Sequence, residues 1–233
     1  GIRLSMAELT TEACAARFFI LENDCHARIS KVLVSLSWTC DIRQSIESIG
    51  LGFASLMTDG MAGHINLVTG AAGFIGSHLV DSLLQAGQHV IGLDNLSLGS
   101  LDNLRLALAH ARFQFLEAYL NDVKRCEQLL ESAVPSPIET IWHFAANSDI
   151  AAGAVDPEVD LRNTFMSTFQ ALALARCFGI RKFAFASSSA IYGAHADALT
   201  EETGPLLPIS NYGAMKLASE AIISAALETH LLQ

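Results

Sequence analysis

Residues 65–80 read I-N-L-V-T-G-A-A-G-F-I-G-S-H-L-V, and the fold turns on them. Ile65 to Val68 is a short apolar run of strand character. The turn from Thr69 to Gly76 carries three glycines, and residues 74–86 have helical spacing. In a strand–turn–helix unit of this kind Gly70 permits a tight turn and Gly73 lets backbone approach a pyrophosphate. Gly76 lets the helix pack closely on the strand. The helix N-terminus, opening at Phe74 and Ile75, then offers free N–H groups to phosphates. A glycine triplet alone is a weak signal. Here it gains weight from the strand before it, the helix after it, and Asp94 at the end of the next apolar run, 18 residues past Gly76. A carboxylate there accepts hydrogen bonds from ribose hydroxyls and repels a 2′-phosphate, so NAD is favoured over NADP.

Outward from this unit, short apolar runs alternate with helical patterns. Strands are predicted at 89–93, 113–116, 138–144 and 182–186, and helices near 121–132, 157–178 and 211–229. Alternation of this kind predicts an α/β fold, a Rossmann-type doubly wound parallel sheet with helices on both faces. Residues 1–60 differ, holding three of the five cysteines and none of the five prolines. Leu9 to Ile20 reads as a helix and Lys31 to Trp38 as a strand, with no motif in either. Met61 stands just ahead of the first strand of the glycine unit. Residues 61–233 are therefore expected to be the nucleotide-binding domain, and 1–60 a fused or upstream segment of unknown nature. The last helix is followed by no further strand, which predicts that the domain is incomplete.

Composition narrows the classes. Of 233 residues 51% are hydrophobic and 16% charged, with a formal net charge of −10, which excludes disorder. No basic cluster exceeds the pairs Lys124-Arg125 and Arg181-Lys182, so neither nucleic acid nor a membrane surface is an expected partner. Residues 60–80 lack charge, but five glycines, two histidines and an asparagine argue against a membrane span. Acidic residues at Glu8, Glu12, Glu22 and Asp24 argue against a signal peptide, and a cytoplasmic location is expected. The cysteines suggest no disulfide framework. Cys14, Cys25 and Cys40 with His26 match no zinc-binding spacing, so no metal is expected.

Two further stretches carry chemistry. Tyr212-Gly213-Ala214-Met215-Lys216 sets a phenol and an ammonium four apart, on one face of a helix. A nearby cation lowers a phenol's pKa, and a phenolate can take a proton from a sugar hydroxyl. The pattern occurs often by chance. Some twenty residues upstream, however, Phe185-Ala186-Ser187-Ser188-Ser189-Ala190-Ile191-Tyr192-Gly193 forms a hydroxyl-rich strand end, where ligands bind in a doubly wound sheet.

Taken together, TGAAGFIGSHLV, LDNLSLG, WHFAANSD, FASSSAIYG and NYGAMK resemble, in order, the extended short-chain dehydrogenase/reductase family, in particular its NAD-dependent nucleotide-sugar epimerases. The resemblance covers residues 61–233. It implies that Tyr212 is the catalytic acid/base, that Lys216 positions the cofactor ribose and tunes the tyrosine, and that Ser188, with Ser189 as fallback, hydrogen-bonds the reacting hydroxyl. It places Phe144, Ala145 and Ala146 on the nicotinamide side and Asp94, Asn95 and Leu96 at the adenosine end. It also implies a homodimer through helices 157–178 and 211–229, a nucleotide-sugar substrate, and a C-terminal substrate domain that is expected to be missing from this sequence. Two positions depart from the pattern. Tyr119 stands where the family has an aspartate that reaches the adenine amino group, and Asn163 comes one position early in the helix after the fourth strand. His143, ending a strand, reads as a satisfied core histidine, and His195 as solvent-facing.

The reaction is chosen by auxiliary groups. Dehydratases of the family carry an acidic pair after the catalytic hydroxyl, and decarboxylases a glutamate close behind it. Ser189-Ala190 supplies no general acid. Inversion at C4 through a transient 4-keto sugar is thus the first expectation, with a dehydratase or decarboxylase, or an inactive NAD-binding fragment, as alternatives.

Overall fold

The computed structural model describes residues 14–22, 28–36, 65–133, 137–180, 182–194, 199–200 and 202–228. Its centre is a parallel sheet of β3 (Ile65–Thr69), β4 (His89–Asp94), β5 (Phe113–Glu117), β6 (Ile138–His143) and β7 (Lys182–Ala186), in the order β7-β6-β3-β4-β5. The order reverses at β3, so the glycine unit opens at the switch point of the sheet, where this architecture binds ligands. Sequence explains which strands are central. Every residue of Ile65–Thr69 is buried, as befits a strand covered on both faces, whereas Gln114 and Glu117 of β5 are exposed at the sheet's edge.

Helices fill both faces. The layer formed by α1 (Phe74–Gln85) packs Leu79, Val80, Leu83 and Leu84 against Val68, Val90, Trp142 and Ala184. On the other face lie α2 (Val123–Ala133), α5 (Ser167–Cys177) and α6 (Asn211–Glu228). These set Leu130, Leu174 and Ile223 against Leu67, Ile91, Ile141, Phe183 and Phe185. Successive strand residues thus serve alternate faces, as the pleat requires. Between β6 and α5 the chain forms α3 (Ile150–Val155), α4 (Pro157–Asp160) and a π-helical stretch, Leu161–Met166, that runs on into α5. Asp156 caps α4 by accepting from Glu158 N, and Pro157 occupies its first turn.

Residues 14–36 correct one expectation. From Cys14 on, where the expected helix Leu9–Ile20 falls on described residues, the chain is instead strand β1 (Cys14–Glu22), paired antiparallel with β2 (Arg28–Leu36) and, through Phe18–Leu21, with Phe183–Ala186 of β7. The run Phe18-Phe19-Ile20-Leu21 is rich in β-prone residues, and the open edge of β7 offers unpaired backbone groups to it. Tertiary pairing outweighs the helical spacing. The strand expected at Lys31–Trp38 is β2, beginning at Arg28 and ending at Leu36. Cys25, His26, Cys40 and His195 lie outside the described residues. Among the described residues no cluster of His, Cys, Asp or Glu could hold a metal ion, and no helix is long and apolar enough to cross a membrane.

Candidate functional site

A cleft of about 440 Å³ runs across the carboxyl ends of the strands, from β5 and β4 over the glycine turn to β6 and β7. At its middle, Gly70 adopts φ +71°, and a Cβ there would meet Ala145 N at 2.7 Å and Phe144 C at 2.8 Å. Only glycine fits both the left-handed backbone and the contact. A Cβ on Gly76 would be driven into the Gly70 carbonyl, so the helix could not sit this close to the turn. The start of α1 has no side-chain cap and no acidic residue in its first turn. Phe74, Ile75 and Gly76 line the cleft, so an uncompensated helix N-terminus with free N–H groups faces it. An anion of pyrophosphate type fits this cradle.

At one end, both carboxylate oxygens of Asp94 are held by backbone. Oδ2 accepts from Ala72 N (3.0 Å) and Oδ1 from Leu96 N (2.8 Å), and Leu96 itself takes a left-handed φ of +58°. The carboxylate is thereby fixed at the cleft wall with lone pairs to spare. Asn95, Ser97 and Leu98 continue this wall. Asn103 Nδ2 and Ser100 N both donate to Ala72 O, strapping the segment after β4 onto the glycine turn. Asn103 is not legible in the sequence as part of the site, because its contact spans 31 residues.

At the other end, α6 presents Tyr212 and Lys216 one turn apart, both lining the cleft. Ser210 Oγ accepts from Gly213 N at the helix start, and Asn211 Nδ2 donates to Gly153 O, which fixes the first turn. Lys216 is buried, its Nζ donating to Ala186 O at 2.7 Å and lying 4.6 Å from the Phe185 ring centroid and 5.8 Å from that of Tyr212. Burial pulls its ammonium from 10.5 down to about 7, against the opposing pull of Glu220. Phe144, Ala145 and Ala146 form the floor beside it.

Of the three serines, Ser187 lines the cleft, and its buried Oγ has no hydrogen-bond partner. Ser188 and Ser189 do not line it. They are half-buried in the following turn, where Ser188 Oγ accepts from Ala190 N. The sequence shows that a hydroxyl stands here, but which of three consecutive serines turns inward depends on where β7 ends.

His143, beneath the cleft, is fully buried and doubly bonded. Thr168 Oγ1 gives its hydrogen to Thr164 O, so it can only accept from His143 Nε2 (3.1 Å), and Nδ1 accepts from Thr69 Oγ1 (2.7 Å). Burial, reinforced by the charge of Lys216, lowers its pKa to about 3, so the ring is neutral: a core histidine as expected.

The two departures from the family pattern meet. Tyr119 OH donates to Asn163 Oδ1 at 2.8 Å, and both residues line the cleft. The π turn from Leu161 to Met166 accounts for the early asparagine. One extra residue in the turn brings a residue five before Thr168 onto the face that four would occupy in an α-helix.

Sheet order, glycine turn and the Tyr/Lys helix together define a doubly wound α/β protein with a cleft across its strand ends. The chain belongs to the extended short-chain dehydrogenase/reductase family: residues 67–233 match the family model described as GDP-mannose 4,6 dehydratase. It is similar to UDP-glucose 4-epimerase of Mycolicibacterium smegmatis, with 38% identity over 159 residues, 68% of this chain and 50% of that protein. Among solved structures it resembles UDP-glucose 4-epimerase of Thermus thermophilus in complex with NAD. There the TM-score is 0.63 and the identity 31%, covering 72% of this chain and 52% of that one. It also resembles dTDP-glucose 4,6-dehydratase of Bacillus anthracis in complex with NAD, with TM-score 0.60 and 26% identity over 72% of this chain and 52% of that one. The chain spans about half the length of the curated relatives it matches.

Proposed function

We propose that the complete protein interconverts C4 epimers of a nucleotide sugar, using NAD held in this cleft. The observation that carries the reading is that one cleft joins the glycine cradle and Asp94 at one end to Tyr212, Lys216 and the partnerless Ser187 hydroxyl at the other. The N–H groups at Phe74, Ile75 and Gly76, with Gly70 and Gly73, hold the pyrophosphate. Asp94 and Asn95 take the adenosine ribose, and Phe144, Ala145 and Ala146 back the nicotinamide. When bound, the nicotinamide supplies a hydride acceptor and donor for the sugar's C4. Tyr212 takes the proton from the C4 hydroxyl and returns it to the oxygen after the sugar's other face has turned inward. Lys216 serves as the cation that stabilises the phenolate. On the family pattern Ser188, with Ser189 as the alternative, orients the reacting hydroxyl, which requires that side chain to turn from the bend after β7 into the cleft; Ser187, which lines the cleft, is placed on the nicotinamide side.

The description of the family model and one structural neighbour name dehydratases, which supports a second reading in which the 4-keto sugar loses water. Against it, Asp94 is the one carboxylate lining the cleft among the described residues, at the far end from Tyr212. Relatives named 4-epimerases support the first reading. A homodimer through helices 157–178 and 211–229 and a cytoplasmic location complete the proposal. In these helices Leu174 is buried in the chain's own core, while Leu161 and Phe169 are exposed for a partner. The test is to incubate the complete gene product with UDP-glucose without added reductant and follow the products by NMR. UDP-galactose is expected. A 4-keto-6-deoxy sugar instead would establish the dehydratase reading.

A further inference from the structure

The cleft wall beyond Asp94 bears on which base the site accepts. With phosphates at the β3–α1 turn and a ribose at Asp94 on β4, the base lies over the next strand end, β5. Ala118, Tyr119 and Leu120 line the cleft there. A short hydrogen-bond chain orients the polar groups. Asn121 Nδ2 donates to Arg162 O at 2.7 Å and to Tyr119 OH at 2.8 Å. A backbone carbonyl can only accept, so the Asn121 amide is fixed and the Tyr119 oxygen receives one of its hydrogens. The phenol's own hydrogen therefore goes to Asn163 Oδ1, at 2.8 Å. With its oxygen so occupied, Asn163 offers the cleft its amide N–H groups and not its carbonyl.

We propose that Tyr119 and Asn163 read the purine of the dinucleotide without discriminating between a 6-amino and a 6-oxo substituent. The proposal rests on the NAD reading above and deepens it. The Tyr119 ring provides a face for the base, and Asn163 Nδ2 provides a donor for ring nitrogen N3 or N7, each an acceptor in adenine and hypoxanthine alike. What this end of the cleft lacks, among the described residues, is a charged acceptor for the 6-amino group. Among the described residues Asp94 is the one carboxylate lining the cleft, and Ala72 and Leu96 hold it at the ribose position. A carboxylate at Tyr119 would accept from a 6-amino group and repel a 6-oxo group. A phenol oxygen carries no charge with which to make that distinction.

The test is a fluorescence titration of the full chain with NAD and with nicotinamide hypoxanthine dinucleotide. Dissociation constants within about threefold of each other are expected. Tyr119→Asp is expected to open the ratio to about tenfold or more in favour of NAD. Tyr119→Phe keeps the ring, but by releasing the Asn163 oxygen to accept from a 6-amino group it should shift the ratio the same way by a smaller factor. A wild-type preference for NAD of tenfold or more, or a ratio that neither variant moves, overturns the proposal while leaving the NAD reading intact. Binding of neither dinucleotide overturns both.

Discussion

Two ionisable residues of the cleft carry measurable consequences. Asp94 is held in place by Ala72 N and Leu96 N, and on the proposed reading its charge faces a cofactor's 2′ position. NADP is expected to bind at least tenfold more weakly than NAD in a calorimetric titration, with Asp94→Asn narrowing the gap. Equal affinities in the wild type would remove Asp94 from the ribose. Lys216 makes stability depend on pH. Its pKa falls from 10.5 to about 7 on folding, so between those values the unfolded chain holds more protons than the folded one. Unfolding free energy should therefore rise with pH from 7 to 9, by up to about 1.4 kcal/mol per unit. Above pH 9 Cys126 acts in the opposite sense, because burial raises its thiol to about 11 and the folded state then holds the extra proton. Urea denaturation at pH 7, 8 and 9 measures the slope, which Lys216→Met should abolish; a slope that survives that substitution would assign it elsewhere. The role of Asp94 is legible in the sequence; the pH effect is not, because the sequence places Lys216 on the same helix face as Tyr212 but does not show that the lysine is buried against Phe185.

Strands and helices are legible in proportion to how much of their pattern is local. The five parallel strands and the helices α1, α2 and α6 follow from apolar runs and helical spacing, with ends displaced by a residue or two, whereas the single helix expected over 157–178 is divided into α4, the π-helical stretch and α5. The hairpin of β1 and β2 is missed at β1 because its pairing partner, β7, lies more than 160 residues away in the chain. The π turn is visible only as an asparagine one position out of place. Turn geometry makes a sharper forecast than sequence can. Gly76 and Gly179 look alike as letters, but a Cβ at Gly76 collides with the Gly70 carbonyl, while one at Gly179, at φ +62°, meets nothing within 4 Å. Gly179→Ala should cost about 1–2 kcal/mol of stability in urea denaturation and leave NAD affinity unchanged. Gly76→Ala should lose at least tenfold in affinity, because the turn must open. Equal effects from the two substitutions would mean that Gly76 is not part of the cradle.

Across the fold, chemistry is assembled from five strand ends that are distant in sequence. β4 and β5 bring Asp94 and Tyr119 to one end of the cleft, β3 brings the glycine turn, and β6 and β7 bring Phe144 and Ser187 to meet α6. The order of motifs along the chain is enough to foresee this convergence, since a doubly wound sheet gathers its βα turns along one edge. Which serine faces the cleft, and the contact between Tyr119 and Asn163, depend on packing and are not foreseen. The proposed chemistry stands or falls with Tyr212 moving the proton at the sugar's C4 hydroxyl. The deciding measurement compares the rate at which the complete protein interconverts UDP-glucose and UDP-galactose with the rate of its Tyr212→Phe variant. A loss of about a hundredfold or more in turnover, with NAD affinity retained, is the expected result; a variant that turns over at the wild-type rate would show that Tyr212 is not the acid/base.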